Sequence, residues 1–79
     1  MILNEIKRAI LQALRDGRPH NLFELANEID HAPFNVNAEL RALRREQLVR
    51  DTIGIDAHNW TLTDRGWRLI YNGDQLELT

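Results

Sequence analysis

The chain has 79 residues, 43% hydrophobic and 28% charged, and its ten basic and twelve acidic side chains give a formal net charge of −2. A domain of that size buries only about 60–65% of its unfolded surface, so one core must serve the whole chain, and the ordinary globular composition excludes a disordered one. The lack of cysteine excludes disulfides and thiolate metal sites, and the negative balance excludes a surface that coats nucleic acid everywhere, so any such contact must be local.

Ile2, Leu3, Ile6, Ala9, Ile10, Ala13 and Leu14 recur at three- and four-residue spacing, which predicts an amphipathic helix over 3–15 with Lys7, Arg8 and Gln12 outside. Asp16-Gly17 ends it, since glycine accepts the left-handed conformation of a helix C-cap, and Pro19 forbids an immediate restart. Asn21 is a good N-cap for a second helix, on which Leu22, Leu25, Ala26 and Ile29 keep helical spacing. Asp30 to Pro33 reads as a turn. Pro33 suits the first position of a third helix, where Val36, Leu40 and Leu43 form the inner stripe, Asn37, Arg41, Arg44 and Arg45 lie outside, and the end falls near Gln47.

Beyond this point the period drops to two. Leu48 to Ile53 and Asn59 to Thr63 are short, rich in β-formers and separated by the turn-capable Gly54 to His58, which predicts a hairpin. Thr63 can cap a last helix from Asp64 to Tyr71 with Trp67 and Ile70 inward, stopped by Gly73. The expected organisation is one domain over 1–72 and a short tail over 73–79. The longest apolar runs are a few residues and the start has no secretory pattern, so the expectation is a cytoplasmic protein without membrane contact.

Three helices, a hairpin and a helix give an α+β, mainly α, fold: a winged helix-turn-helix. The stretch ELANEIDHAPFNVNAELRALRREQLVRD resembles the second and third helices and first wing strand of winged-helix transcription regulators of bacteria and archaea. The matching features are Leu25-Ala26, Pro33, Val36, Leu40, Leu43 and Leu48-Val49; WTLTDRGWRLI resembles the second wing strand running into the last helix. These are mostly core and turn positions, so they speak for fold before function. What the resemblance implies is a sequence-specific regulator of double-stranded DNA, a repressor, with the third helix over 34–46 in the major groove. Asn35, Asn37, Ala38 and Arg41 would then face bases, because asparagine pairs bidentately with adenine, arginine with guanine, and alanine touches a thymine methyl. Arg44, Arg45 and Arg50 would meet phosphates, joined at the wing by His58 and Asn59.

Four arginines against Glu39 and Glu46 leave residues 34–50 at only +2, so a solvated or protein-binding face stands as the alternative. Three features depart from the regulator pattern. Gln47 stands where a glycine is usual, and because a left-handed glutamine costs about 1–2 kcal/mol, a differently built connection is expected. The wing stretch GIDAHN has no arginine or lysine, and Asp56 would repel phosphate. The second helix carries Glu24, Glu28 and Asp30 without a basic residue. These favour the second reading, a winged-helix module that binds protein and not DNA.

Phe34, beside the reading face, is expected to tuck back onto the second helix or Leu22 and Phe23, the alternative being a partner contact. His20, His31 and His58, on a linker, a turn and the wing, lack metal-ligand spacing and read as surface histidines, so no metal or other cofactor is expected. With neither serine nor cysteine the common nucleophiles are missing, and an enzyme is not expected. A single reading helix buries too little for high affinity, so a homodimer is expected, through the N-terminal helix with Ile2 and Leu3, the C-terminal helix and tail with Trp67, Leu69, Ile70, Leu76 and Leu78, or both.

Overall fold

The structure, a computed structural model, describes residues 4–53 and 58–71, the side chains of Ile53 and His58 excepted. Helix α1 spans Glu5–Ala13 and runs into a single 3-10 turn, Leu14–Asp16; strand β1 is His20–Asn21, followed by α2, Leu22–Ile29, and α3, Pro33–Arg45. The hairpin strands β2, Val49–Ile53, and β3, His58–Leu62, lead into α4, Asp64–Tyr71. The turn at Gly54 to Ala57, Asp56 with it, the stop at Gly73, Ile2, Leu3 and the tail lie outside the described residues.

Each boundary has a local cause. The Asn4 side chain accepts from the Lys7 amide at 2.8 Å to start α1, and Asn21 accepts from the Glu24 amide at 2.8 Å to start α2, each satisfying a backbone donor that the helix leaves over. Gly17 takes the left-handed conformation (φ 78°) after the 3-10 turn. Asp30 does the same (φ 58°) at the end of α2, where the His31 amide reaches the Ala26 carbonyl at 3.0 Å. Pro33 opens α3 in the first turn, where its missing N–H costs nothing.

The stripe residues meet in one core. Ile10, Leu11 and Leu14 from the first helical segment, Leu25 and Ala26 from α2, and Val36, Leu40 and Leu43 from α3 are buried together with Leu48, Val49, Trp60, Leu62 and Ile70. Each fully buried leucine or isoleucine contributes about 1.5–3 kcal/mol relative to exposure, so the three α3 residues fix that helix firmly against α1 and α2. Among the described residues no helix is long and apolar enough to cross a membrane.

Four features differ from the expectation. The sheet has three antiparallel strands in the order β1-β3-β2, since the supposed linker pairs with the wing, His20 opposite Trp60 and Asn21 opposite Asn59. His20 is not a surface histidine: it is 4% exposed, its Nε2 donates to the Asp16 carboxylate at 2.8 Å, and its Nδ1 lies 3.7 Å from Glu28 Oε2. Lys7 and Arg8 are half-buried rather than outside, and the Lys7 ammonium donates to Glu39 of α3 at 2.5 Å. Gln47 does adopt the left-handed conformation (φ 63°), and the connection is the ordinary glycine-type helix end with a glutamine in it. Its amide reaches the Arg44 carbonyl at 2.9 Å and the Leu48 amide the Leu43 carbonyl at 3.0 Å.

The wing and α4 are tied at one residue. The Thr63 hydroxyl donates to the Gln47 carbonyl at 2.5 Å and accepts from the Gly66 amide at 3.0 Å, while the Thr63 amide donates to the Leu48 carbonyl at 3.1 Å. Gly66 is buried against the same carbonyl.

Candidate nucleic-acid interface

Helix α3 turns about 100° per residue, which sorts its side chains around the axis. Val36, Leu40 and Leu43 point inward, and diametrically opposite runs a stripe of Phe34, Ala38, Arg41 and Arg45, all exposed. Asn35 and Asn37 are two residues apart and therefore roughly 160° apart around the helix, one on each edge of that stripe. The Asn35 edge faces α1, because Glu39, on the same side, reaches Lys7 and Asn4. The Asn37 edge faces the hairpin, since Arg44 on that side lies 3.7 Å from Asp51. Asn35 is exposed and Asn37 half-buried. The residues expected to face bases thus share the N-terminal turns of one helix, with Ala38 and Arg41 on its crest and the asparagines at its borders.

The +2 of this segment is concentrated on the crest of the face. Glu39 looks away: its carboxylate accepts from Lys7 Nζ at 2.5 Å and Asn4 Nδ2 at 2.8 Å, and these bonds, the lysine's first, hold it below the usual carboxylate range despite partial burial. Glu46 is the exposed C-cap of the helix. Arg41 and Arg45 have no hydrogen-bond or ion-pair partner among the described residues. Arg44 is tethered, its guanidinium 6.0 Å from the centre of the Trp60 ring and near Asp51. Arg50, on the outer face of the hairpin, touches the Thr61 hydroxyl at 3.4 Å. Asn59 is half-buried; the His58 backbone pairs with Ile53, and its side chain lies outside the described residues.

Phe34 does not tuck back. It is 83% exposed, and Phe23 on α2 is 71% exposed, so neither ring covers the other. The first turn of α3 offers no inward place to Phe34 because Val36 takes it, and the signal was legible as the spacing 34, 38, 41, 45. Among the described residues no group of three or more His, Asp or Glu side chains could hold a metal ion.

A helix pair of this geometry, α2 bracing α3 across a tight turn, followed by a hairpin paired to the α1–α2 connection, decides the architecture. The fold is a winged helix-turn-helix. No family model matches the sequence, and no curated protein is similar to it by sequence. Solved winged-helix structures are similar in fold. MepR of S. aureus, solved as a DNA complex, superposes with a TM-score of 0.84 at 18% identity over 94% of this chain and 64% of MepR. RV1404 of Mycobacterium tuberculosis gives 0.84 at 18% identity over 94% of this chain and 52% of that one. A MarR family protein from Bacillus stearothermophilus gives 0.81 at 20% identity, over 89% and 50% respectively. The winged helix described here therefore spans roughly half to two thirds of the length of these proteins.

Proposed function

We propose that the protein is a sequence-specific regulator of transcription that binds double-stranded DNA with α3 in the major groove, acting in the cytoplasm as a homodimer and repressing by occupying a promoter. The observation that carries the reading is the crest of α3, where the exposed Ala38, and Arg41 and Arg45, which have no partner among the described residues, are presented by a braced helix whose nearest glutamate, Glu39, is turned away and neutralised by Lys7. Arg41 pairs with a guanine, Asn35 and Asn37 reach the two borders of the groove, and Arg45 meets a phosphate. Arg44 reaches one only by leaving Asp51, while Arg50 and Asn59 offer contacts from the hairpin. The MepR–DNA complex, similar in fold, supports this reading. Dimer formation sets two such helices one helical turn apart. The α4 ring pair Trp67–Tyr71, stacked at 5.8 Å with Tyr71 76% exposed, is a surface for it.

Selection of random duplexes on the purified protein tests the reading: an inverted repeat is expected, and Arg41→Ala is expected to weaken it by about 1–3 kcal/mol and relax preference at one base per half-site. Retention of no duplex even at low salt would overturn it. A second reading, a protein-binding module, is favoured by the exposed Phe23 and Phe34 beside the acidic Glu24, Glu28 and Asp30. It predicts that Arg41→Ala leaves DNA retention unchanged.

A further inference from the structure

The basic groups of this negatively charged chain are not evenly satisfied. Lys7 is bonded to Glu39, Arg15 to Gln12, Arg18 to Asp16, and Arg44 lies by Asp51. Apart from Arg41 and Arg45 of α3, the guanidiniums without a hydrogen-bond or ion-pair partner among the described residues are Arg65 and Arg68, one turn apart on α4. Both line a groove of about 690 Å³ at the base of the wing, together with Arg50, Thr61, Thr63 and Trp67. Arg50 and Thr61 are cross-strand partners, so both project from the outer face of the hairpin into this space, and among the described residues Arg50 has only a 3.4 Å contact to the Thr61 hydroxyl. Among the described residues Asp64 is the one acidic residue in the lining, leaving three guanidiniums against one carboxylate. Like charges gathered in one concavity repel each other unless an anion lies among them, and planar guanidinium forks match phosphate oxygens bidentately.

We propose that this groove is a second phosphate-binding surface, in which Arg50, Arg65 and Arg68 take backbone phosphates of duplex DNA independently of base sequence. The inference rests on the DNA-binding reading and adds to it a contact site on α4, outside the reading helix. It adds a backbone grip beside a hairpin whose connecting residues 54–57 include no arginine or lysine, since positioning on a duplex comes mostly from phosphate contacts.

The test is the salt dependence of binding to a labelled duplex carrying the selected sequence. At about 0.15 M salt the Debye length is about 8 Å and it shortens above that, so a guanidinium that does not touch the duplex hardly enters the slope. Each lost phosphate contact makes the log–log slope shallower by about 0.9, so Arg65→Ala/Arg68→Ala is expected to reduce it by about 2 per chain with the base preference unchanged. Arg65→Lys/Arg68→Lys is expected to restore the slope. An unchanged slope in the alanine variant, with a wild-type circular dichroism melt, overturns the inference. If Arg41→Ala in the same assay still relaxes base preference, the DNA reading stands without it. If the wild type retains no duplex, both fall.

Discussion

Replacing Gly66 by alanine tests whether α4 is seated on the wing as tightly as the structure shows. A Cβ there would lie 2.2 Å from the Leu48 carbonyl oxygen, 3.2 Å from its carbon and 3.2 Å from Leu62 Cδ2. A relaxed carbon–oxygen contact is about 3.3 Å, so α4 or the strand must move by about 1 Å. Neither can do so freely: the Leu48 oxygen is held by the Thr63 amide at 3.1 Å, and the Gly66 amide is held by the Thr63 hydroxyl at 3.0 Å. Overpacking costs about 1–3 kcal/mol when side chains can yield, and here the obstacle is backbone, which puts the cost at or above the upper end. Alanine recovers about 1 kcal/mol of helix propensity over glycine. The net loss is about 2 kcal/mol, which in a domain of this size lowers Tm by roughly 8–16 °C. A circular dichroism melt decides it, and an unchanged or raised Tm would refute the close approach.

The acid response follows from two carboxylates. Asp16 is lowered to about 2, first by the Arg18 amide and then by the His20 ring, and Glu39 is lowered by Lys7. Both pKa values lie below those of the unfolded chain, so their contribution is complete above about pH 5 and is lost as pH falls toward about 2. Asp16→Asn is expected to flatten the decline of the urea midpoint over that interval; an equal decline in both proteins would contradict it. Gln47→Gly removes a left-handed strain of about 1–2 kcal/mol and adds unfolded-state entropy worth about 0.5–1 kcal/mol, so a gain of about 0.5–1 kcal/mol is expected. A urea midpoint that rises with unchanged m agrees, and a lower one does not.

The helices were legible because their inner stripes and caps are local. Asn21 and Thr63 mark their own N-termini, and Pro33 marks the start of α3. What the sequence hides is pairing across distance. Two residues carry no alternation, so β1 has no periodic signal, and His20 looked like linker because its partners, Asp16, Glu28 and the Trp60 strand, come together only in the fold. The bond between Lys7 and Glu39 joins residues 32 apart in the chain, and it turns an apparent acidic blemish on the reading helix into a brace against α1. Gln47 shows the opposite case: the need for a left-handed residue was readable and the side chain argued against it, yet the position is held by the bonds of Leu48 and Thr63 around it. On the candidate interface the residue types were legible. Their division into a crest and two borders, with Phe34 on the crest, needed the helix axis.

The pairing of β1 with β3 also sets an order of events. The hairpin joins strands close in sequence and closes early, whereas His20 must wait for Trp60, 40 residues further on, and so for α2 and α3 to be in place between them. The last piece to lock is then the first to release, because a two-residue strand has little ladder to lose. Amide protons in the ladder between β1 and β3 are expected to exchange through a smaller opening than those of the α1–α3 core. The pairing of β1 with β3 is thus a latch between the wing and the α1–α2 connection, and how slowly those few protons leave reports the free energy of lifting it.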